Sequence, residues 1–347
     1  MVLIPAICSP NSFEMAIIVA EGLSKAYGRH VAVDHVDFKV EEGEIFGFLG
    51  PNGAGKTTTI KMLTTLLEVT SGKATIAGHD VSKAKNQVRM AIGLVPQDLT
   101  LDREMTGNDN LRIQAKLYDV PDATAKAKIG ELLELVDLRG VAQKAVKTYS
   151  WGMQKRLSLV MGLVHTPKVL FLDEPTLGLD AQSREMIWRY IEMLNRDLKM
   201  TIFMTTHYLE EADQLCHRIA IIDGGKIKAQ GSPDELKRTL GGEVVELELA
   251  PADAESARPL LEALPGVIKV STMGAVCSVE VVSAEEMIPR LVVELAGKGV
   301  RILKVNTRVI DLNEVFLRLT GRKTNGADEG DDQFRAIMRE RLLRERT

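Results

Sequence analysis

Eight consecutive residues constrain this chain more than any others: Gly50-Pro51-Asn52-Gly53-Ala54-Gly55-Lys56-Thr57, a GxxxxGK[ST] run. Ahead of it lies Glu44–Leu49 (EIFGFL), a near-continuous apolar run that suits a strand buried on both faces. After it, Thr57–Leu67 has helical character. Strand, glycine-rich loop and helix in that order make a cradle for phosphate. Glycines let successive backbone N–H groups face one anion. The helix N-terminus adds roughly half a positive charge. Lys56 supplies a full charge for the β- and γ-phosphates, and the Thr57 hydroxyl suits Mg2+.

A second acidic element follows downstream. Val169-Leu170-Phe171-Leu172 ends in Asp173-Glu174. Such a strand delivers its last residues to the carboxyl edge of a sheet, where the phosphate loop also lies. There Asp173 is suited to hold Mg2+, directly or through water, and Glu174 to orient and deprotonate an attacking water.

The rest of the chain reads as an α/β fold with a smaller second domain. Ile17–Val19, Val31–Val40, Thr201–Met204 and Ile219–Ile222 are further strand candidates, and about 98–164 reads as mostly helical. Strands alternating with helices imply a mostly parallel sheet covered on both faces. Gly241-Gly242 marks the expected boundary, placing the first domain at 15–241 and an accessory α/β domain of about 80 residues at 242–321. Residues 1–14 are expected to be an extension, with the compact domain and translation starting near Met15. Residues 322–347 form a charged tail. In it, Gln333–Arg346 can form a short basic amphipathic helix for a membrane surface or a membrane partner, or simply fray.

Composition excludes several functions. Lys plus Arg is 44 against 48 Asp plus Glu, a net charge of −4, and aromatics are 4%. That argues against a globally basic nucleic-acid binder and leaves few platforms for stacking bases. Cys8, Cys216 and Cys277 are odd in number and lack a CxxC, which suits a reducing compartment. No run approaches the length of a membrane span, and the N-terminus lacks the basic start of a secretory signal.

Seven elements in one order then resemble the ATP-binding subunits of ABC transporters. They are Tyr27 before a turn, the phosphate loop, Gln97 in Val95-Pro96-Gln97-Asp98, and Tyr149-Ser150-Trp151-Gly152-Met153-Gln154 in the signature position. Asp173-Glu174-Pro175-Thr176, Gly178-Leu179-Asp180 and Thr205-Thr206-His207 complete the series. The resemblance implies a P-loop NTPase fold of ABC type with a helical subdomain at about 98–164. It also implies roles. ATP would stack on Tyr27 and lie on Gly50, Asn52, Gly53, Gly55, Lys56, Thr57 and Thr58. Mg2+ would be held by Thr57, Gln97 and Asp173. Glu174, His207 and Gln97 would serve catalysis, with His207 on the γ-phosphate. Two copies would pair head to tail, so that Ser150 and Gly152 of one reach the ATP held by the other and Asp180 links the two sites. Hydrolysis would open the dimer and move a membrane permease, which keeps the chain peripheral on the inner face of the membrane.

The signature departs from the family at one position. Ser-Gly-Gly is usual there, and this chain has Ser150-Trp151-Gly152. Tryptophan takes φ > 0 only at a cost. Either the backbone stays in an allowed region with the indole turned outward, or the site is slowed; a working but slower ATPase is expected.

Three segments resemble the daunorubicin-type multidrug exporters in particular. These are Gly178–Arg184 (GLDAQSR), Thr205–Asp213 (TTHYLEEAD) and the closing Leu312–Gly321 (LNEVFLRLTG). In the last, Leu312, Val315, Phe316 and Leu319 form an i, i+3, i+4, i+7 stripe. It either packs in its own core or docks on the main domain. Two other classes stay open from the residues: an ABC-type nutrient importer, and an ABC-type ATPase acting on nucleic acid. The second class usually carries two ATPase halves or a coiled-coil insertion, which this chain lacks.

Overall fold

A computed structural model describes residues 16–238, 243–251 and 253–321. The expected extension at 1–14, the Met15 start, the Gly241-Gly242 pair and the tail with its basic helix lie outside these residues. The chain falls into two compact units, which divide between Gln230 and Gly231.

The first unit opens with β1 (Ala16–Tyr27) and β2 (His30–Glu41), followed by β3 (Ile45–Leu49) and α1 (Lys56–Leu63). Next come β4 (Ser71–Ile76), β5 (His79–Asp80), α2 (Lys85–Ala91) and β6 (Ile92–Val95). A helical stretch holds α3 (Gly107–Leu117), α4 (Asp122–Leu135) and α5 (Trp151–Met161). The unit then runs through β7 (Val169–Asp173), α6 (Ala181–Leu198), β8 (Thr201–Thr206), α7 (Leu209–Leu215), β9 (Arg218–Asp223) and β10 (Lys226–Gly231).

Six strands form the central sheet in the order β10-β9-β3-β8-β7-β6. The β9-β3, β3-β8, β8-β7 and β7-β6 pairs are parallel. β3, β7 and β8 are buried along their whole length, which is why each reads as an unbroken apolar run rather than an alternation. A second sheet, β2-β1-β4-β5, is antiparallel. The sequence reading saw only fragments of it, because β4 (SGKATI) is polar and half exposed and β1 is broken by register shifts around Gly22. Between the sheets, Phe38, Phe46, Phe48, Phe171 and Phe203 stack with ring centroids 5.3–5.8 Å apart. Five of the chain's eight phenylalanines thus lock the site-bearing strands to the antiparallel layer.

The second unit contains α8 (Pro233–Leu236), β11 (Glu243–Leu249), α9 (Ala254–Glu262), β12 (Val267–Met273) and β13 (Val276–Val281). It closes with α10 (Ala284–Gly297), β14 (Ile302–Val309) and α11 (Leu312–Thr320). Its four-stranded antiparallel sheet has the order β12-β13-β11-β14. Val245, Leu247, Leu261, Val279, Leu291 and Leu295 form its core. Leu312, Val315 and Phe316 of α11 are buried, and that helix packs on α8 of the same unit.

Candidate active site

Strand order builds the site. β3, β8 and β7 are consecutive in the sheet and parallel, so their carboxyl ends lie side by side. The pairing sets Leu49 beside Thr206 and Asp173 beside Thr205. The phosphate loop, the Asp173-Glu174 pair and His207, which are far apart in sequence, meet at one edge.

The loop is shaped by glycine where side chains cannot go. Gly55 has φ +108° and a Cβ there would lie 2.6 Å from the Ala32 carbonyl oxygen; one on Gly50 would lie 2.3 Å from that of Ile222. Gly55 leads into α1, which has no side-chain cap and no acidic residue in its first turn. Its first N–H groups therefore lack an anionic partner from their own helix.

Lys56 is 5% exposed. Its Nζ donates to the carbonyls of Gly50 (2.8 Å) and Pro51 (3.2 Å) and pairs with Glu174 Oε1 at 3.1 Å. The other carboxylate oxygen of Glu174 meets His207 Nδ1 at 2.8 Å. Burial would raise the Glu174 carboxyl, but the His207 ring and the Lys56 ammonium outweigh it and hold it below the ordinary range. Glu174 sits at φ +48°, a strained conformation for a non-glycine, with its N–H directed at the Thr205 carbonyl and hydroxyl. Asp173 behaves oppositely. Burial raises its carboxyl, and the hydroxyls of Thr205 (2.6 Å) and Thr57 (3.3 Å) only partly offset that. Adjacent carboxylates are thus pushed apart, as befits two roles.

A cleft of about 520 Å3 opens over these groups. Tyr27, Asn52, Gly53, Gly55, Lys56, Thr57, Thr58, Gln97, Glu174 and His207 line it, as does the half-buried Leu177, with His30 and Ala32 from β2. Tyr27 is half exposed at its rim. Gly50 and Asp173 do not line the cleft; Asp173 reaches it through Thr57. Thr57, Asp173 and Gln97 all offer oxygen, the donor type that Mg2+ takes.

Ser150, Gly152 and Asp180 do not line the cleft either. Ser150 caps α5, accepting from Met153 N, and Asp180 caps α6, accepting from Ser183 N and Oγ. Ser150, Trp151, Gly178 and Asp180 are all exposed. Trp151 begins α5 without positive φ, and its indole Nε1 lies 3.6 Å from where a Cβ on Gly178 would stand. The first of the two sequence-based outcomes holds: the backbone stays in an allowed region and the indole is turned outward, 46% exposed.

Sequence reasoning missed Lys155 and Thr205. Lys155 is 2% exposed, with its Nζ on the Gln97 carbonyl at 2.8 Å, so α5 anchors the Gln97 loop. Burial pulls its ammonium down, against Asp98, Asp173 and Glu174. A lysine on a helix ordinarily reads as solvated, so sequence carried no signal for it. Thr205 lay within a quoted motif, and only the strand register reveals its bond to Asp173.

Comparison with known proteins agrees with this geometry. The ABC transporter family matches residues 33–177, and the family described as ATP-binding protein DrrA1-3-like, C-terminal domain, matches 231–320. The daunorubicin resistance ATP-binding protein DrrA3 of Streptomyces coeruleorubidus is 41% identical over 304 residues, covering 88% of this chain and 96% of the relative. The linearmycin resistance ATP-binding protein LnrL of Bacillus subtilis is 35% identical over 308 residues, covering 88% and 99%. A solved ATP-binding subunit of an ABC transporter superposes with a TM-score of 0.59 at 28% identity, covering 65% of this chain and 93% of that one. The chain therefore belongs to the ABC transporter ATP-binding family, an ATP-binding ATPase with a DrrA-like C-terminal domain.

Proposed function

We propose that this chain is the ATP-hydrolysing subunit of an exporter that moves a drug-like or hydrophobic compound through a separate membrane permease. The observation that carries the chemistry is the buried Lys56–Glu174–His207 chain at the floor of the cleft. Support for export comes from resistance proteins that match this chain along almost their whole length. No described helix is long and apolar enough to cross a membrane, and this reading gives the path for the transported compound to the permease.

In this reading Tyr27 stacks on adenine, while the Gly53–Thr58 backbone and Lys56 bind the phosphates. Thr57 and Asp173, with Gln97, would hold Mg2+, which would supply charge neutralisation to the phosphates. The γ-phosphate replaces Glu174 as the partner of Lys56. That releases Oε1 of Glu174 to accept the proton of the attacking water, while His207 Nδ1 keeps Oε2 in place. His207 Nε2 then reaches the γ-phosphate. The strained backbone at Glu174 is held by Thr205, so the base needs no rearrangement of its own.

A second copy supplies what the cleft lacks. Ser150 and the first N–H groups of α5 lie outside the cleft, and α5 carries no acidic residue in its first turn. Facing the cleft of a head-to-tail partner, they would close on its γ-phosphate, with Asp180 between the two sites. Hydrolysis would remove the bridging charge and open the pair, and the helical stretch of α3 and α4 would pass that motion to the permease.

The test has two parts. Co-expressed with its permease, the tagged chain should co-purify with a polytopic membrane protein. Lys56→Ala should make the host sensitive to the exported compound without dissolving that complex. Recovery of bound nucleic acid in place of a membrane protein, or loss of nutrient uptake in place of resistance, would overturn the exporter reading.

A further inference from the structure

The hydrolysis scheme above leaves one carboxylate unexplained. Glu211, in the first turn of α7, has no solvent exposure at all. Its Oε1 accepts from the Thr176 hydroxyl at 2.8 Å and from the Trp188 indole Nε1 at 3.0 Å. Its Oε2 is buried with no hydrogen-bond partner among the described residues, as is Nε of Arg184. Burial pushes the Glu211 carboxyl up, against the hydroxyls of Thr206 and Thr176, the Trp188 indole and the charge of Arg184. A fully buried carboxylate with one oxygen unpartnered is costly to hold.

Its partners indicate the task. Thr176 stands two residues beyond Glu174. Thr206 ends β8 immediately before His207, and its hydroxyl accepts from Tyr208 N at 2.9 Å. Trp188 and Arg184 lie on α6, the helix capped by Asp180. The Arg184 guanidinium sits 4.8 Å from the centre of the Tyr208 ring, and that ring packs on His207 with centroids 4.1 Å apart. One side chain, on the helix that follows His207, is therefore bonded to the segment after Glu174 and to the helix that begins at Asp180.

We infer that Glu211 is a positioning residue for ATP hydrolysis, joining these three segments into one body so that Glu174 and His207 keep their mutual geometry while Lys56 changes partner. It touches neither nucleotide nor water in the proposed hydrolysis; it acts through Thr176 and Trp188. The hydrogen bonds it accepts are the working part, so a neutral isostere that still accepts them keeps the function. This inference rests on the roles proposed for Glu174 and His207.

The experiment uses the full chain, with turnover normalised to nucleotide-binding sites. Glu211→Ala should lower kcat for MgATP about tenfold, as expected for loss of two buried hydrogen bonds that orient catalytic segments, with KM within about twofold. Glu211→Gln should restore kcat to within about threefold of the natural chain, because its carbonyl oxygen still accepts from Thr176 and Trp188. The chain has two tryptophans, so in a Trp151→Phe background Trp188 alone reports the network. Its emission should change on MgATP binding, and that response should vanish in Glu211→Ala. If Glu211→Ala does not fold, Thr176→Val decides: kcat should fall about threefold at constant KM, the effect of one lost bond. The inference is overturned if both of these variants keep kcat within the error of the natural chain, if KM rises in step with any loss, or if Glu211→Gln is as impaired as Glu211→Ala. A parallel Glu174→Gln measurement separates the two levels: retained turnover there refutes the site assignment, whereas its loss alongside normal Glu211 and Thr176 variants refutes this inference alone.

Discussion

The two units bury different things. Among the described residues, the first unit buries Glu44, which pairs with Arg218, and also Lys56, Lys155, Asp173, Glu174, His207 and Glu211, several of which meet one another or the Gln97 loop. In the second unit the buried charged residue is Glu280, paired with the half-exposed Arg318, over an apolar core of valine and leucine. Buried charge is expensive to hold and is retained where it does chemistry or positions what does. The contrast places the connected buried charges in the first unit, whereas ion pairs of the second, such as Arg308 with Glu246 and Glu314, lie at its surface.

The same chemical change in each unit gives the sharpest break of that contrast. Glu174→Gln should lower ATP turnover by about 10²–10⁴, the contribution typical of a general base, while nucleotide binding persists and a nucleotide-bound dimer accumulates. Glu280→Gln should leave turnover within about twofold. Equal losses in steady-state assays of the two variants would erase the distinction.

Packing gives the next effect, in the other direction. Phe316→Ala removes a fully buried ring from the second unit and should cost about 3–5 kcal/mol of that unit's stability in urea unfolding. Turnover per folded molecule should stay unchanged. A proportional fall in kcat would mean that the second unit shapes the catalytic one.

Within the first unit, Asp173 and Glu174 should answer pH with opposite signs. Glu174 is held below its ordinary range, so its pairing stabilises the nucleotide-free chain above that range and the contribution is lost as pH falls through the lowered value. Asp173 is raised, so its burial is tolerated best when protonated and becomes destabilising as pH rises through the raised value. Asp173→Asn should therefore raise the Tm of the nucleotide-free chain at neutral pH by about 2–4 °C, near 1 kcal/mol, while abolishing Mg2+-dependent hydrolysis. A lowered Tm would show that the Thr205 and Thr57 hydroxyls outweigh burial.

The smallest effect belongs to Trp151. Its backbone is helical and its indole faces outward beside Gly178, so Trp151→Gly should change turnover by less than about twofold. A severalfold gain in kcat would reinstate the slowing expected from sequence.

Much of the site was legible before any fold. GxxxxGK[ST] after an apolar run, and DE after VLFL, mark chemistry through the local geometry of strand ends, and local geometry follows from local sequence. Lys155 and Glu211 were not legible. Each sits on a short helix beside other charged or polar residues, where a solvated face is the ordinary reading, and only the packing of α5 and α7 puts them inside. Likewise β4 and β5 are polar and short, so their place in the antiparallel layer depends on pairing, of β4 with β1 and of β5 with β4.

Residue order alone pointed to a phosphate-binding loop, to a pair of adjacent carboxylates at the end of a downstream apolar strand, and to a second unit with an apolar core after it. Tertiary structure decided which of these groups touch. Parallel pairing of β3, β8 and β7 brings Glu174 to 3.1 Å from Lys56, more than a hundred residues away, and to 2.8 Å from His207, and the different partners of two buried adjacent carboxylates push them in opposite directions. Distances and desolvation belong to the assembled sheet, because each depends on atoms that the local sequence does not contain.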